Sequence, residues 1–513
     1  SYLRSGDGAV RRRRRGRRRR PAPPRQALGV VVVVQLVRRE PGQENRLPVF
    51  VVVHACARGG AGTVWTAMAH IITAVIGSGV LSLAWSVAQL GWVGGPAAMV
   101  FFAGVTAVQS TLIADCYICH HPERGGVVRN RSYVDAVRIY LGSRRWLPRV
   151  PGDKSHLFCG FFLNLSLFGT GVVYTLTSAT SMRAIRKANC YHREGHDAPC
   201  SVGGDGYYML LFGLAQVLLS QIPNFHEMAG LSIFAAVMSC FYAFVGVGLG
   251  VAKVIDISLF EIIDRALARL PSANGVIMGG IGGIPLVSTT QKVWRVSQAL
   301  GDILFAYPFS LVLLEIEDTL RSPPPESETM KKATRASIAI TTLFYLCCGC
   351  FGYASFGDGT PGNLLTGFGF YEPYWLIDLA NLAIVYTQPV FAFADRKFGG
   401  GATVVEAPLL PVPGARRVNA NVFRLCFRTA YVAATTAMAV WFPYFNQIIG
   451  LLGSFTFWPL AVYFPVEMYL TRNKVAPWTN QWLTIHAFSL VCLLISAFAS
   501  VGSAVGVFGS ETS

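Results

Sequence analysis

Two groups of residues in this sequence have the types and spacing to do chemistry. The first is Ile76-Gly77-Ser78-Gly79, set in the middle of the 28-residue apolar stretch Thr63–Leu90. Glycine has no Cβ, weakens a helix and readily takes other conformations. Two glycines around a serine therefore favour an unwound patch, whose amides and carbonyls need partners that lipid does not supply. A bound polar solute is one such partner; a second helix packed closely on small residues is the other reading. The second group is Asp302, an ionisable residue in the apolar run Gln298–Ile316, with Pro308 beyond it. A carboxyl inside a membrane span is a candidate for moving or holding a proton. The alternative is a structural acid bonded to the backbone of a broken helix.

The elements that must position these residues are membrane spans. Charged residues make up 14% of the chain and hydrophobic residues 52%, against roughly 25% charged in soluble domains. The net charge of +17 does not point to nucleic acid. Residues 1–58 hold 15 Lys/Arg against 3 Asp/Glu, while the remaining 29 and 24 nearly balance. That tail, with Arg11–Arg15, Arg17–Arg20 and several prolines, has the composition of a disordered cytoplasmic segment. A mis-assigned gene start is the other reading. The valine runs Val30–Val34 and Val51–Val53 are too short to span. Residues 509–513 form a short C-terminal tail.

Between the tails, residues 59–508 read as one transmembrane domain of eleven spans: 63–91, 95–115, 157–182, 207–223, 230–250, 298–316, 337–356, 375–393, 425–445, 447–469 and 480–508. A bilayer core about 30 Å thick needs about 20 apolar residues in a helix. With the N-terminus inside, the inner loops carry 19 Lys/Arg and the outer loops 9. This bias favours a cytoplasmic N-terminus and, with an odd count, an extracellular C-terminus. Loop 251–297 opposes it with five cations.

The same count puts Asn189–Cys200, NCYHREGHDAPC, outside, where disulfides persist. A Cys190–Cys200 bridge is the favoured reading. Cys190, His192, His196 and Cys200 are also metal-ligand types, at a spacing that matches no common zinc module. His192 and Asp197 fit an H-x4-D acyl-transfer pattern without a companion motif. No metal and no cofactor is expected. Most other cysteines lie in apolar segments, where a thiol acts as a small hydrophobe.

The first and sixth spans are both interrupted, five helices apart. Paired interruptions of this kind are expected of inverted-repeat transporters, whose broken helices meet at a solute site near the membrane midplane.

The run GTVWTAMAHIITAVIGSGVLSLAWSVAQLGWVGGP closely resembles the plant amino acid permeases of the amino acid/auxin permease family. So do IADCY (113–117), SQIPNF (220–225), LSIFAAVMSC (231–240), QKVWRVSQALGDILFAYPFS (291–310), LEIEDTLRSPPPESETMKKATR (314–335), GYASFGDGTPGNLLTGFGFYEPYWLIDLAN (352–381) and GLLGSFTFWPLAVYFPVEMY (450–469). The resemblance covers about residues 60–508. It implies an all-α polytopic membrane protein with a LeuT-like 5+5 inverted-repeat bundle and an eleventh helix. It also implies proton-coupled uptake of neutral and some charged amino acids at the plasma membrane. The proton is then the coupling ion, the partners are an amino acid and the lipid bilayer, and no enzyme activity is expected. The sequence carries no signal for an oligomeric state.

Two features depart from the family pattern. The basic residues 1–58 replace a short, acidic-leaning N-terminus. The eighth span has about eight fewer residues between Val385 and Gln388 than relatives carry, a helical length of about 12 Å. What remains, Trp375–Phe393, would be about 28 Å long.

A zwitterionic amino acid needs a positive field for its carboxylate and acceptors for its ammonium. A half-helix starting near Val80 would turn free amides and its positive dipole end to the carboxylate, with Ile76, Gly77, Ser78 and Gly79 giving close backbone approach. The break at Phe305, Ala306 and Tyr307 would offer carbonyls to the ammonium and walls to the side chain. Tyr174 in the third span is a candidate gate or a packed aromatic, and Asp302 is the coupling candidate. Asp115 and Glu467 fit wet structural roles near span ends, and His70 a hydrogen bond inside the first span. Two further readings stand beside the symporter: a permease-like receptor without turnover, which the shortened eighth span makes less remote, and a remote one, a membrane acyltransferase.

Overall fold

Thr63 opens the first helix. Its hydroxyl accepts from the Thr66 amide at 3.4 Å, and the Thr66 hydroxyl accepts from the Thr63 amide at 2.7 Å. This reciprocal cap satisfies two amides that a helix start leaves without partners. The structure, a computed structural model, describes residues 31–34, 52–55, 62–120, 127–142, 154–195, 200, 202–220, 229–268, 278–285, 288–369, 373–387, 404–406 and 419–509. Within residues 1–58 it describes two strands, β1 (Val31–Val34) and β2 (Val52–Ala55), paired antiparallel. The rest of that tail, His196, Asp197, the IPNF motif and Gln388 lie outside the described residues.

Helix α1 (Val64–Val75) stops at Ile76, the chain is extended at Gly77, and a 3-10 turn (Ser78–Ser82) leads into α2 (Leu83–Asp115). The second half of the first span and the whole second span lie within α2. They are separated at Gly91, whose φ of 79° is left-handed. A Cβ there would also sit 2.1 Å from the Ile281 carbonyl oxygen, so only glycine makes this corner.

A short hairpin, β3 (Ile118–His120) with β4 (Val127–Arg129), precedes α3 (Tyr133–Leu141). The long helices α4 (Ser155–Glu194), α5 (Asp205–Ser220) and α6 (Ala229–Ala268) follow. The sixth span is α7 (Thr289–Ala306), a break at Tyr307–Phe309, and α8 (Ser310–Glu317). Pro308 lacks the amide that would continue the ladder. Next come α9 (Glu326–Phe356), α10 (Tyr374–Thr387), the pair β5 (Val404–Glu406) and β6 (Asn419–Asn421), and α11 (Val422–Trp441). The tenth span is α12 (Phe445–Phe457), a π-helical turn (Trp458–Tyr463) and α13 (Phe464–Arg472); α14 (Asn480–Gly509) is the eleventh. Pro459 sits in the π turn, and the Tyr133 hydroxyl donates to the Leu460 carbonyl there.

Helix is present at all eleven expected spans. Two loops expected outside are shorter than the sequence suggests, because α4 runs on to Glu194 and α6 to Ala268. Lys253 and Arg265 therefore lie on a helix rather than in a loop. Among the described residues, seven helices are long and apolar enough to cross a membrane. Of the eighth span, α10 is described over 14 residues, about 21 Å, and residues 388–393 lie outside the described residues.

The eleventh span turns its larger apolar side chains away from the bundle. On α14, Ser489, Cys492, Ser496, Ala499 and Ser503 are buried, while Leu490, Leu494, Phe498, Val501 and Val505 face outward. Small and polar groups let backbones approach, and the apolar face suits lipid. The chain is an integral, multi-pass membrane protein. Its centre is α7, packed on α2, α12 and α14. A Cβ on Gly301 would lie 2.5 Å from the Gly450 carbonyl oxygen, and one on Gly453 would lie 2.4 Å from that of Gly301. The α7–α12 crossing thus depends on the absence of these side chains.

Ion pairs tie the helix ends at one face of the bundle. Asp115 meets Lys331 at 2.6 Å and Arg472 at 3.5 Å, Arg129 meets Glu326 at 2.9 Å, and Arg131 meets Asp318 at 3.3 Å. Glu467 lies 3.5 Å from the His486 ring. At the other face, the Lys292 ammonium donates to the carbonyls of Gln89, Gly282 and Ile284 at 2.8–2.9 Å. It thereby fastens the loop after α6 to the end of the first span.

Cys190 and Cys200 are joined by a disulfide. It ties the last turn of α4 to the approach of α5. Cys200→Ser is expected to lower stability by about 3 kcal/mol on the chain-entropy model for so short a loop. The midpoint of thermal unfolding in detergent checks this, with and without reductant.

Candidate functional site

The two interrupted spans touch each other. A Cβ on Gly79 would come within 3.1 Å of the Phe305 ring and 3.3 Å of the Ala306 Cα. Gly79 is therefore a close-packing glycine, as in the helix-contact reading. Gly77 is different, with nothing within 4 Å of where its Cβ would stand. One glycine of the motif closes the contact and the other faces open space. Ile76, Ser78 and Gly79 are buried, and Gly77 is half-buried.

The peptide groups divide in the same way. The amides of Gly77, Ser78 and Gly79 have no backbone acceptor among the described residues. The carbonyls beside them are taken. The Gly77 carbonyl accepts from the Val80 amide at 3.2 Å, Gly79 from the Ser82 hydroxyl at 2.9 Å, and Val80 from the Cys348 thiol at 3.5 Å. Three amides without acceptors at the start of a helical segment form an anion-binding arrangement.

In the sixth span, Phe305 is half-buried and packs against an apolar cluster that includes Val172, Val173 and Leu176 of α4 and Ile448 and Ile449 of α12. Ala306 follows at the end of α7. The Tyr307 ring is buried against Tyr345 of α9, with centroids 5.3 Å apart. Tyr174 is half-buried on α4, close to Tyr242 of α6.

Asp302 is fully buried, with no ion-pair partner among the described residues. The Ser86 hydroxyl from the second half of the first span is its polar neighbour, and that hydroxyl donates to the Ser82 carbonyl at 3.2 Å. Gly450 of α12 lies against it, since a Cβ there would be 2.9 Å from Oδ1. An ionised carboxylate is costly to bury without partners, so this position is unusual for a purely structural acid. His70 is also buried, on α1.

The other sequence candidates lie apart from this centre. With Cys190 and Cys200 bridged, neither thiol is free to hold a metal. The His192 ring stacks on Tyr374 at 4.1 Å, and the Asn189 amide donates to Asp378 at 2.7 Å. Both contacts fasten α4 to the start of α10.

One residue at the centre escaped the sequence reading. The Tyr345 hydroxyl lies 2.7 Å from the Val75 carbonyl oxygen and 2.9 Å from that of Ala306. A tyrosine in an apolar run gives no local signal of partners 270 and 39 residues away.

The family model for transmembrane amino acid transporter proteins matches residues 60–508. Probable amino acid permease 7 of Arabidopsis thaliana is 49% identical over 475 residues, covering 90% of this chain and 96% of that protein. Amino acid permease 3 of the same plant is 48% identical over 461 residues, covering 87% and 90%. Among solved structures, MhsT in complex with L-phenylalanine is 12% identical over 86% of this chain and 99% of that one, with a TM-score of 0.47. That likeness is too distant for any residue to be carried across. With the family model matched along nearly all of the bundle and relatives at close to half identity, the chain belongs to the transmembrane amino acid transporter family, alongside the plant amino acid permeases.

Proposed function

We propose that this protein is a proton-coupled amino acid symporter that works by alternating access. The observation that carries this reading is the contact of the two broken spans at Gly79 and Ala306, with the unpartnered amides of Gly77–Gly79 beside the open space at Gly77. The amides and the positive end of the following half-helix suit a carboxylate. The carbonyl ends of α1 and α7 suit an ammonium. Ile76, Gly77, Ser78, Gly79, Phe305 and Ala306 make up the substrate site, with Tyr307 setting the backbone of the sixth-span break through its packing and Tyr174 as gate. Asp302 carries the proton. The names of the relatives, amino acid permeases, support the substrate class. Membership of a transporter family leaves no support for the acyltransferase reading.

In this reading the protein sits in the plasma membrane, with its N-terminus inside and C-terminus outside. The charge bias of the loops supports that orientation.

Radiolabelled amino acid uptake into proteoliposomes tests the proposal. Accumulation is expected with an imposed inward proton gradient and should collapse when the gradient is dissipated. Binding without accumulation would favour the receptor reading, to which the shortened sequence between Val385 and Gln388 lends weight, and neither binding nor uptake would overturn both.

A further inference from the structure

The hydroxyl of Tyr345 lies between the two interruptions. Val75 is the last residue of α1 and Ala306 the last of α7. Carbonyls at helix C-termini lack intrahelical partners and carry the negative end of the helix dipole. No backbone amide donates to either one among the described residues. Both face the Tyr345 oxygen, at 2.7 and 2.9 Å. Tyr345 is itself fully buried, and its ring is held edge-on by Tyr307. A phenol has one proton, so it serves one carbonyl well or shares itself between two.

We propose that Tyr345 is a positioning residue of the substrate site: its hydroxyl holds the carbonyl ends of the two broken spans together and yields one of them to the ammonium of an arriving amino acid. This rests on reading the paired breaks as an amino acid site. The requirement behind it is physical. Two helix C-termini pointed at one place repel each other and are costly to bury without a donor. The site must therefore supply a donor when substrate is absent. That donor must also be easily outcompeted by an ammonium, which brings three N–H groups and a full charge. A single shared proton meets both needs.

The test is Tyr345→Phe, which keeps the ring and its packing on Tyr307. KM for alanine uptake is expected to rise about tenfold, the equivalent of one good hydrogen bond, with Vmax per folded protein within about twofold of wild type. A purely structural role would instead lower the amount of folded protein and Vmax while leaving KM unchanged, and that result would overturn the proposal. A second variant covers the case in which Tyr345→Phe folds poorly. Incorporating 4-aminophenylalanine at position 345 gives two N–H donors on the same ring, so both carbonyls are held at once. Folding is then expected to match wild type while KM stays raised; a wild-type KM would overturn the release step. Wild-type uptake is measured alongside. Its absence would count against the symporter reading, whereas normal wild-type uptake with unchanged KM in both variants would count against Tyr345 alone.

Discussion

Gly77→Ala is expected to raise KM for amino acid uptake between tenfold and a hundredfold while leaving the protein folded and its amount unchanged. The added methyl meets nothing within 4 Å, and the extended backbone at Gly77, φ −133°, suits alanine. Packing gives the substitution no reason to destabilise. What the methyl does is occupy the space from which a carboxylate would reach the amides of Gly77, Ser78 and Gly79. Hydrogen bonds to a charged group are worth about 1.5–3 kcal/mol, which sets the fold-change at roughly 10 to 100. The control is Gly453→Ala, whose Cβ would sit 2.4 Å from the Gly301 carbonyl oxygen and 2.6 Å from the Phe305 amide nitrogen. Backbone cannot give way as a side chain can, so this variant is expected to lose about 1–3 kcal/mol or more and to fail in yield and thermal stability. Uptake kinetics and thermal unfolding on both variants decide the matter. An unchanged KM in Gly77→Ala would mean that the open side of the first break is not where substrate sits.

Asp302→Asn is expected to abolish accumulation driven by a proton gradient, by at least about tenfold, while exchange of labelled for unlabelled amino acid across the membrane continues. The residue is fully buried between Ser86 and Gly450. Asparagine matches its shape, so the α7–α12 crossing at Gly301, Gly450 and Gly453 is undisturbed. What it removes is a group able to exist with and without a proton. Exchange needs only substrate binding and the conformational change, whereas concentrative uptake also needs the coupling ion. The two are separated by counterflow at equal pH and by net uptake under an imposed gradient. Accumulation at wild-type level in Asp302→Asn would remove Asp302 from the coupling mechanism.

The fold was legible in the sequence to the degree that local composition dictates it. Eleven apolar stretches of adequate length have to be helices because lipid offers no partner for peptide groups. The two that break do so where Gly77, Gly79 and Pro308 remove the side chain or the amide that a helix requires. Helix ends were less legible. α4 and α6 run well past their apolar segments, because a helix persists through polar residues once its core has formed.

Within the site, residue types alone set where the backbone is interrupted and that an acid lies near the second interruption. Those are properties of a residue and its immediate neighbours. Helix packing sets the rest: Gly79 is packed against Phe305 while Gly77 is open, the Tyr307 ring lies on Tyr345 of α9, and Tyr345 reaches both broken ends. Each of these depends on which helix lies across from which. A motif of two glycines reads the same whether a neighbouring helix fills the space or leaves it empty.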